Sequence, residues 1–177
     1  MSLKEITKEL HTEAEKSAFA KLLLSGNITK EKYVQYLTEM QPIYQLIEKH
    51  ASAQGILDTL PGIKRANAIL EDIRELSDVV PSSVLKPTVD YLIYLDKLCE
   101  DVATKHLIKA HLYVRHMGDL FGGQFIAKKV PGSGKFYQFD NPDELKVAIR
   151  ELLTDDLGDE AKVAFQWAIK IMDALGE

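Results

Sequence analysis

The run Gly118-Asp119-Leu120-Phe121-Gly122-Gly123-Gln124, flanked by Tyr113, Arg115 and Phe125, places three glycines within six residues of a stretch otherwise made of helix formers. An interior glycine costs about 1 kcal/mol relative to alanine, so the run forgoes roughly 3 kcal/mol of local helix stability. A glycine removes a side chain, and what offsets the cost is close approach of the backbone to a bulky group, with a kink that a smooth helix lacks. The same run also suits a helix that stops at Gly122-Gly123, or a small-residue seam against a second helix. Near the other end of the chain, His11 stands four residues after Thr7 and four before Glu15, with Ala14 and Ala18 beyond it. On one helix these residues share a face whose small neighbours leave room for a planar ligand. Glu15 can accept the proton of the ring nitrogen that a metal does not bind, an arrangement that orients a ligating imidazole. A solvated histidine–glutamate pair on a helix surface is the plainer alternative.

Other chemistry is poorly supported. His106, His111 and His116 recur every five residues, which on a helix turns each about 140° from the last and keeps them off one metal face. Glu-x-x-His does not occur, so a carboxylate-bridged di-iron site lacks its usual ligands. Gly122-Gly123 has neither a following lysine at the phosphate-loop spacing nor a preceding strand, and Pro131-Gly132-Ser133-Gly134-Lys135 reads as a turn. Cys99, the one cysteine, lies in an apolar pattern that predicts a core thiol and excludes an internal disulfide.

The elements that position these residues are helical throughout. The chain has 177 residues, 46% of them apolar, which suits one domain with a substantial core. Its net charge of −5 argues against nucleic acid as a partner. No apolar leader precedes Ser2-Leu3-Lys4-Glu5, and no run reaches the roughly 18 apolar residues that cross a bilayer, which predicts a soluble, cytoplasmic protein with no membrane partner. Ser2 and Glu5 form a capping box for a first helix ending before Gly26, and Thr29 caps a second over about 30–52, bent at Pro42. Pro61 opens a third to about Leu76, a fourth covers about 83–102 and a fifth about 104–128. Residues 129–141 read as a loop, with Lys135-Phe136-Tyr137-Gln138-Phe139 a candidate extended segment. Asn141 caps a sixth helix to about Thr154, and the last runs from Gly158 or Asp159 to about Leu175. The expected architecture is an all-α, single-domain bundle of about seven helices.

Two of these stretches resemble heme oxygenases. Leu3-Lys4-Glu5-Ile6-Thr7-Lys8-Glu9-Leu10-His11-Thr12-Glu13-Ala14-Glu15 resembles the family's proximal helix. The segment from Ala110 through His111, Tyr113, Arg115, Gly118 and Asp119 to Gln124 resembles its distal helix, in the same order and separation. Ile43-Tyr44, Lys146, Arg150 and Ala161-Lys162-Val163-Ala164-Phe165 resemble parts of its other helices, so the likeness covers nearly the whole chain. It departs at Phe121, where many members carry serine, at Ala168, where a polar residue often joins a water network, and over residues 51–81.

The resemblance implies heme b held between the first and fifth helices as both cofactor and substrate. His11 would be the axial iron ligand, with Glu15 behind it and Phe165 beside it. Gly118 and Gly122 would bring main chain over the porphyrin next to Phe121, while Asp119, Tyr44 and Arg115 would order the water that passes a proton to dioxygen. Lys4, Lys8, Tyr113, Lys146 and Arg150 would anchor the two propionates and direct opening to the α-meso carbon, giving biliverdin, carbon monoxide and iron. No flavin or nicotinamide motif is visible, so electrons would come from a separate donor, a ferredoxin or other small reductase docked on a rim that includes Lys128 and Lys129. A non-catalytic heme carrier or sensor uses the same pocket, and a thiaminase-like enzyme of this architecture would need a cysteine in it.

Overall fold

The computed structural model describes residues 1–177 and contains helices and turns but no strand. The expected first helix is three pieces. A capping box opens α1 (Leu3–Ile6): Ser2 Oγ accepts the Glu5 amide at 3.3 Å, and Glu5 Oε2 accepts the Ser2 amide at 3.1 Å. Thr7 interrupts the helix before α2 (Lys8–Glu15), and Ser17 leaves helical geometry to cap α3 (Ala18–Ser25) through the Ala20 amide. Gly26 then ends α3 in the left-handed region.

The axis of the molecule is α4 (Lys30–Ala53), which runs unbroken through Pro42 and buries Tyr33, Leu37, Met40, Ile43, Tyr44 and Ile47. Around it lie α5 (Ala66–Glu75), α6 (Lys86–Glu100) and α7 (Ile108–Phe121). Three buried carboxylates explain where neighbouring elements begin. Glu39 accepts the Leu85 amide at 2.7 Å and the Thr88 hydroxyl, which starts α6 at Lys86 rather than near residue 83. Glu48 accepts the amides of Arg65 at 2.7 Å and Ala66 at 3.1 Å, so α5 begins there, and Pro61 sits in the preceding turn. Asp72 accepts the amides of Lys135 and Phe136 at 3.0 and 2.9 Å, folding Lys135–Tyr137 into a 3-10 turn where an extended segment was a candidate. Each carboxylate satisfies N–H groups that a helix start leaves without partners.

The expected fifth helix divides at Gly122 into α7 and the short α8 (Gly123–Ile126). Asn141 precedes α9 (Pro142–Glu151) without a capping bond, and its side-chain amide donates to the Pro61 carbonyl at 3.1 Å. The chain closes with α10 (Gly158–Leu175), which packs on α2, α3, α6 and α7. No helix is long and apolar enough to cross a membrane.

Gly123 shows what one of the glycines is for. A Cβ placed on it would lie 2.5 Å from Tyr137 Cδ1. That ring cannot yield, because it stacks on Phe136 at 4.3 Å and its hydroxyl bonds Tyr36 at 3.1 Å. Gly123→Ala is therefore expected to destabilise the fold by about 1–3 kcal/mol, since overpacking outweighs the gain in helix propensity of about 1 kcal/mol. A melting temperature equal to or above the parent's contradicts this.

Candidate functional site

Two helices with little direct packing between them share one neighbour. Both α2 and α7 rest on α10. At one end Leu3 joins Ala110, Leu157 and Ala161 in a small apolar cluster, and at the other α3 meets α8. The result is a window with α10 at its back.

On one side of the window is His11. No side chain of α2 is buried, and the His11 ring is 57% exposed, its Nδ1 3.5 Å from Glu15 Oε1. Phe165 of α10 meets the ring edge-on at 5.8 Å between centroids. On the other side, Gly118, Phe121, Gly122 and Phe125 follow helical spacing and all four are exposed, an apolar stripe left open. A Cβ on Gly118 would meet nothing within 4 Å, and one on Gly122 would approach only the Gly118 carbonyl, at 3.6 Å. The three glycines thus divide their work: Gly118 faces open space, Gly122 sits at the break, and Gly123 admits Tyr137.

Cations gather at the edge of the stripe. Lys146 Nζ lies 4.2 Å from the centre of the Phe121 ring and the Arg150 guanidinium 5.8 Å from it, both contributed by α9. Tyr113 is half-buried with Thr7 and Arg150 beside its hydroxyl, and burial raises its pKa. Lys4 and Lys8 are exposed and make no ion pair, and the break at Thr7 falls between them, so they do not share one continuous helix as expected.

Behind the glycines lies a buried polar cluster. Tyr44 donates to Asp119 Oδ2 at 2.6 Å, and both side chains are almost fully enclosed. Burial pushes the Asp119 carboxyl up to about 7, against the opposing pull of His116, the Tyr44 hydrogen bond, Arg115 and Arg65. Arg115 is 8% exposed; its Nη1 reaches Met40 Sδ at 3.7 Å, while Nε and Nη2 have no partner. Buried charged donors without acceptors are costly, and they call for water or ligand oxygens.

Sequence reasoning missed several members of this interior. His111 bonds the Tyr91 hydroxyl through Nδ1 at 2.6 Å and Glu160 through Nε2 at 2.8 Å, and Tyr94 donates to the same Glu160 oxygen at 2.6 Å. Arg115 stacks over Tyr91 at 5.4 Å. His116 bonds Glu48. The spacing of five shows that the histidines cannot share a metal, but nothing local marks two of them as enclosed. His106 is exposed beside Asp156. Cys99 is half-buried against the core, with its thiol pushed up to about 11 by burial, and it touches none of this machinery.

An all-helical bundle in which a helix bearing an exposed histidine and a glycine-bearing helix rest on one shared helix defines the structural class of the protein. The heme oxygenase family model matches residues 1–174, and the chain belongs to that family. Mouse heme oxygenase 2 is 29% identical over 99% of this chain, which spans 64% of the relative's length. Heme oxygenase 1 of Synechocystis sp. is 27% identical over 98% of the chain and 82% of the relative. The heme oxygenase structure from Leptospira interrogans superposes with a TM-score of 0.83 at 27% identity, covering 98% of this chain and all of that one. The heme complex of the Synechocystis heme oxygenase 1, at 22% identity and a TM-score of 0.81, shares the fold over 98% of this chain and 90% of that one.

Asp119 makes stability depend on pH in a defined direction. Its folded-state pKa of about 7 lies above the unfolded value of about 3.9, so its contribution is fully present below pH 4 and is lost as pH rises to 7. Asp119→Asn removes that loss. The unfolding free energy of the variant relative to the parent should rise by on the order of 4 kcal/mol between pH 4 and pH 8, as measured by urea titration. A difference that does not vary with pH refutes the assignment.

Proposed function

We propose that this protein is an oxygen- and electron-dependent heme oxygenase that opens heme at the α-meso carbon to biliverdin, carbon monoxide and iron. The observations that carry the reading are the exposed imidazole of His11 beside Phe165 and the open face at Gly118, on two helices that both rest on α10. The residues present fit a planar iron macrocycle. The Phe121 and Phe125 rings supply apolar surface, the open face of Gly118 admits close approach, and the unpartnered Arg115 nitrogens await oxygen acceptors. His11 would hold the iron, with Glu15 orienting its ring. When bound, heme supplies the metal that activates dioxygen and is also the substrate.

The protein's part is orientation and proton delivery. Asp119 would order water at the dioxygen site and hand on a proton, a task suited to a carboxyl that titrates near neutrality. Tyr44 fixes its orientation, and Arg115 would hold the same waters. Lys146 and Arg150, with Tyr113, Lys4 and Lys8, would bind the propionates by charge-assisted contacts. The electron donor would be a separate ferredoxin or small reductase, met by the cationic rim that includes Lys128 and Lys129. We place the reaction in solution in the cytoplasm. A carrier or sensor has no use for the buried Asp119–Tyr44 pair, which favours the enzyme.

Addition of heme, followed by a reductant under air, should give a Soret band and then biliverdin. His11→Ala is expected to lose the ligand-responsive spectrum while keeping its helical circular dichroism. An unaltered Soret band that reduces normally in this variant would remove His11 from the iron.

Regiochemistry tests the anchors. Exposed ion pairs contribute about 0–1 kcal/mol each, and a tenfold isomer preference needs only about 1.4 kcal/mol. The combined Lys146→Ala and Arg150→Ala change should therefore yield detectable β or δ biliverdin on chromatography. A pure α product from the double variant shows that these two residues do not orient the ring.

A further inference from the structure

His116 was not expected to contribute to the site, yet it lies at its back. Its ring is fully enclosed on α7 and packs against Tyr44 at 5.0 Å between centroids. Both ring nitrogens face acceptors. Nδ1 lies 3.2 Å from the Leu112 carbonyl, which can only accept, and Nε2 lies 2.8 Å from Glu48 Oε2. The Glu48 carboxylate already accepts the Arg65 amide on Oε2 and the Ala66 amide on Oε1. Backbone N–H donors stabilise the ionised form of a carboxyl. An ordinary histidine, moreover, binds its proton about two pH units more tightly than an ordinary glutamate, so a proton shared between Glu48 and His116 belongs on the imidazole.

We propose that His116 carries a proton on both ring nitrogens, one held by the Leu112 carbonyl and the other by Glu48, and that the resulting imidazolium acts as a positioning residue for the proton-transfer pair Tyr44–Asp119. The charge lies behind Tyr44 rather than in the window, so it touches neither ligand nor solvent. Its effect is electrostatic. Of the opposing influences on Asp119, that of His116 is the largest, ahead of the Tyr44 hydrogen bond, Arg115 and Arg65. Tyr33 and Tyr36 on α4 and Tyr137 in the 3-10 turn are the other titratable groups coupled to Asp119. Burial raises all three above the ordinary tyrosine range, so they stay neutral at pH 7 and leave the local field to the cations. Without the imidazolium, burial would hold the Asp119 proton more tightly. With it, the carboxyl can both take and release a proton near neutral pH. This role in catalysis rests on the proposed oxygenase reading, whereas the charge itself does not.

The test uses NMR on the full chain without added heme. The 15N resonances of the His116 ring should show two protonated nitrogens at pH 7, and a spectrum with one bare nitrogen overturns the proposal. His116→Gln keeps an amide that can donate to Glu48 but drops the charge. The carboxyl midpoint of Asp119, followed by 13C NMR, should then move upward by about one pH unit, a tenfold rise in proton affinity. Coincident midpoints in parent and variant overturn the proposal as well. Glu48→Gln, which removes the counter-ion, should convert the His116 ring to its neutral pattern. If either variant fails to fold, the ring spectrum of the parent decides. A parent that shows the imidazolium but opens no heme upholds this inference and refutes the oxygenase reading.

Discussion

One carboxylate, Glu48, joins three elements of the bundle. It projects from α4, closes the open start of α5 through the amides of Arg65 and Ala66, and bonds His116 of α7. An unpaired charge at a site 4% exposed would cost several kcal/mol, so each of these bonds is a condition for keeping it there. Removal of any one would leave either a helix start without acceptors or an ion without a partner. The register of α5 and α7 against α4 is therefore specified by polar geometry as well as by apolar packing. Glu39 and Asp72 apply the same constraint to α6 and to the turn that carries Phe136 and Tyr137.

That constraint also decides how much of the fold was legible in the sequence. The caps of Ser2 and Thr29 act over three residues, and their helices begin where the sequence places them. The caps from Glu39, Glu48 and Asp72 span 46, 17 and 63 residues; α6 and α5 begin later than the sequence pattern places them, and the loop at 135–137 takes a 3-10 form that the pattern does not specify. Glycine is ambiguous in the same way: three similar positions in the sequence turn out to face open space, a helix break and a tyrosine ring. Composition marks such a run as anomalous, but only the partners distinguish its members.

The candidate site was legible where it is odd by local standards and hidden where it depends on distant pairing. His11 and the glycine run stand out because small residues and an exposed imidazole are unusual together. The Tyr44–Asp119 bond links residues 75 positions apart, and the His111–Glu160 and His116–Glu48 pairs are separated by 49 and 68. Buried polar pairs of this kind make a cluster whose members polarise one another, so protonation at one position is felt at the next. The window's two sides differ accordingly: the His11 side is exposed to solvent, and the glycine side is backed by buried polar pairs.

That asymmetry bears on how a ligand comes and goes. α2 is eight residues long with no buried side chain, joined to its neighbours through interruptions at Thr7 and Lys16-Ser17. An element with no buried side chain has less holding it to the bundle than its neighbours, and less free energy opposes its local opening. A ligand bonded to His11 would order the helix further, and its affinity would be reduced by the entropy of that ordering. A ligand that lost this bond would cease to hold the helix in place. Departure of a bulky ligand would then require the yielding of eight residues rather than of the whole molecule.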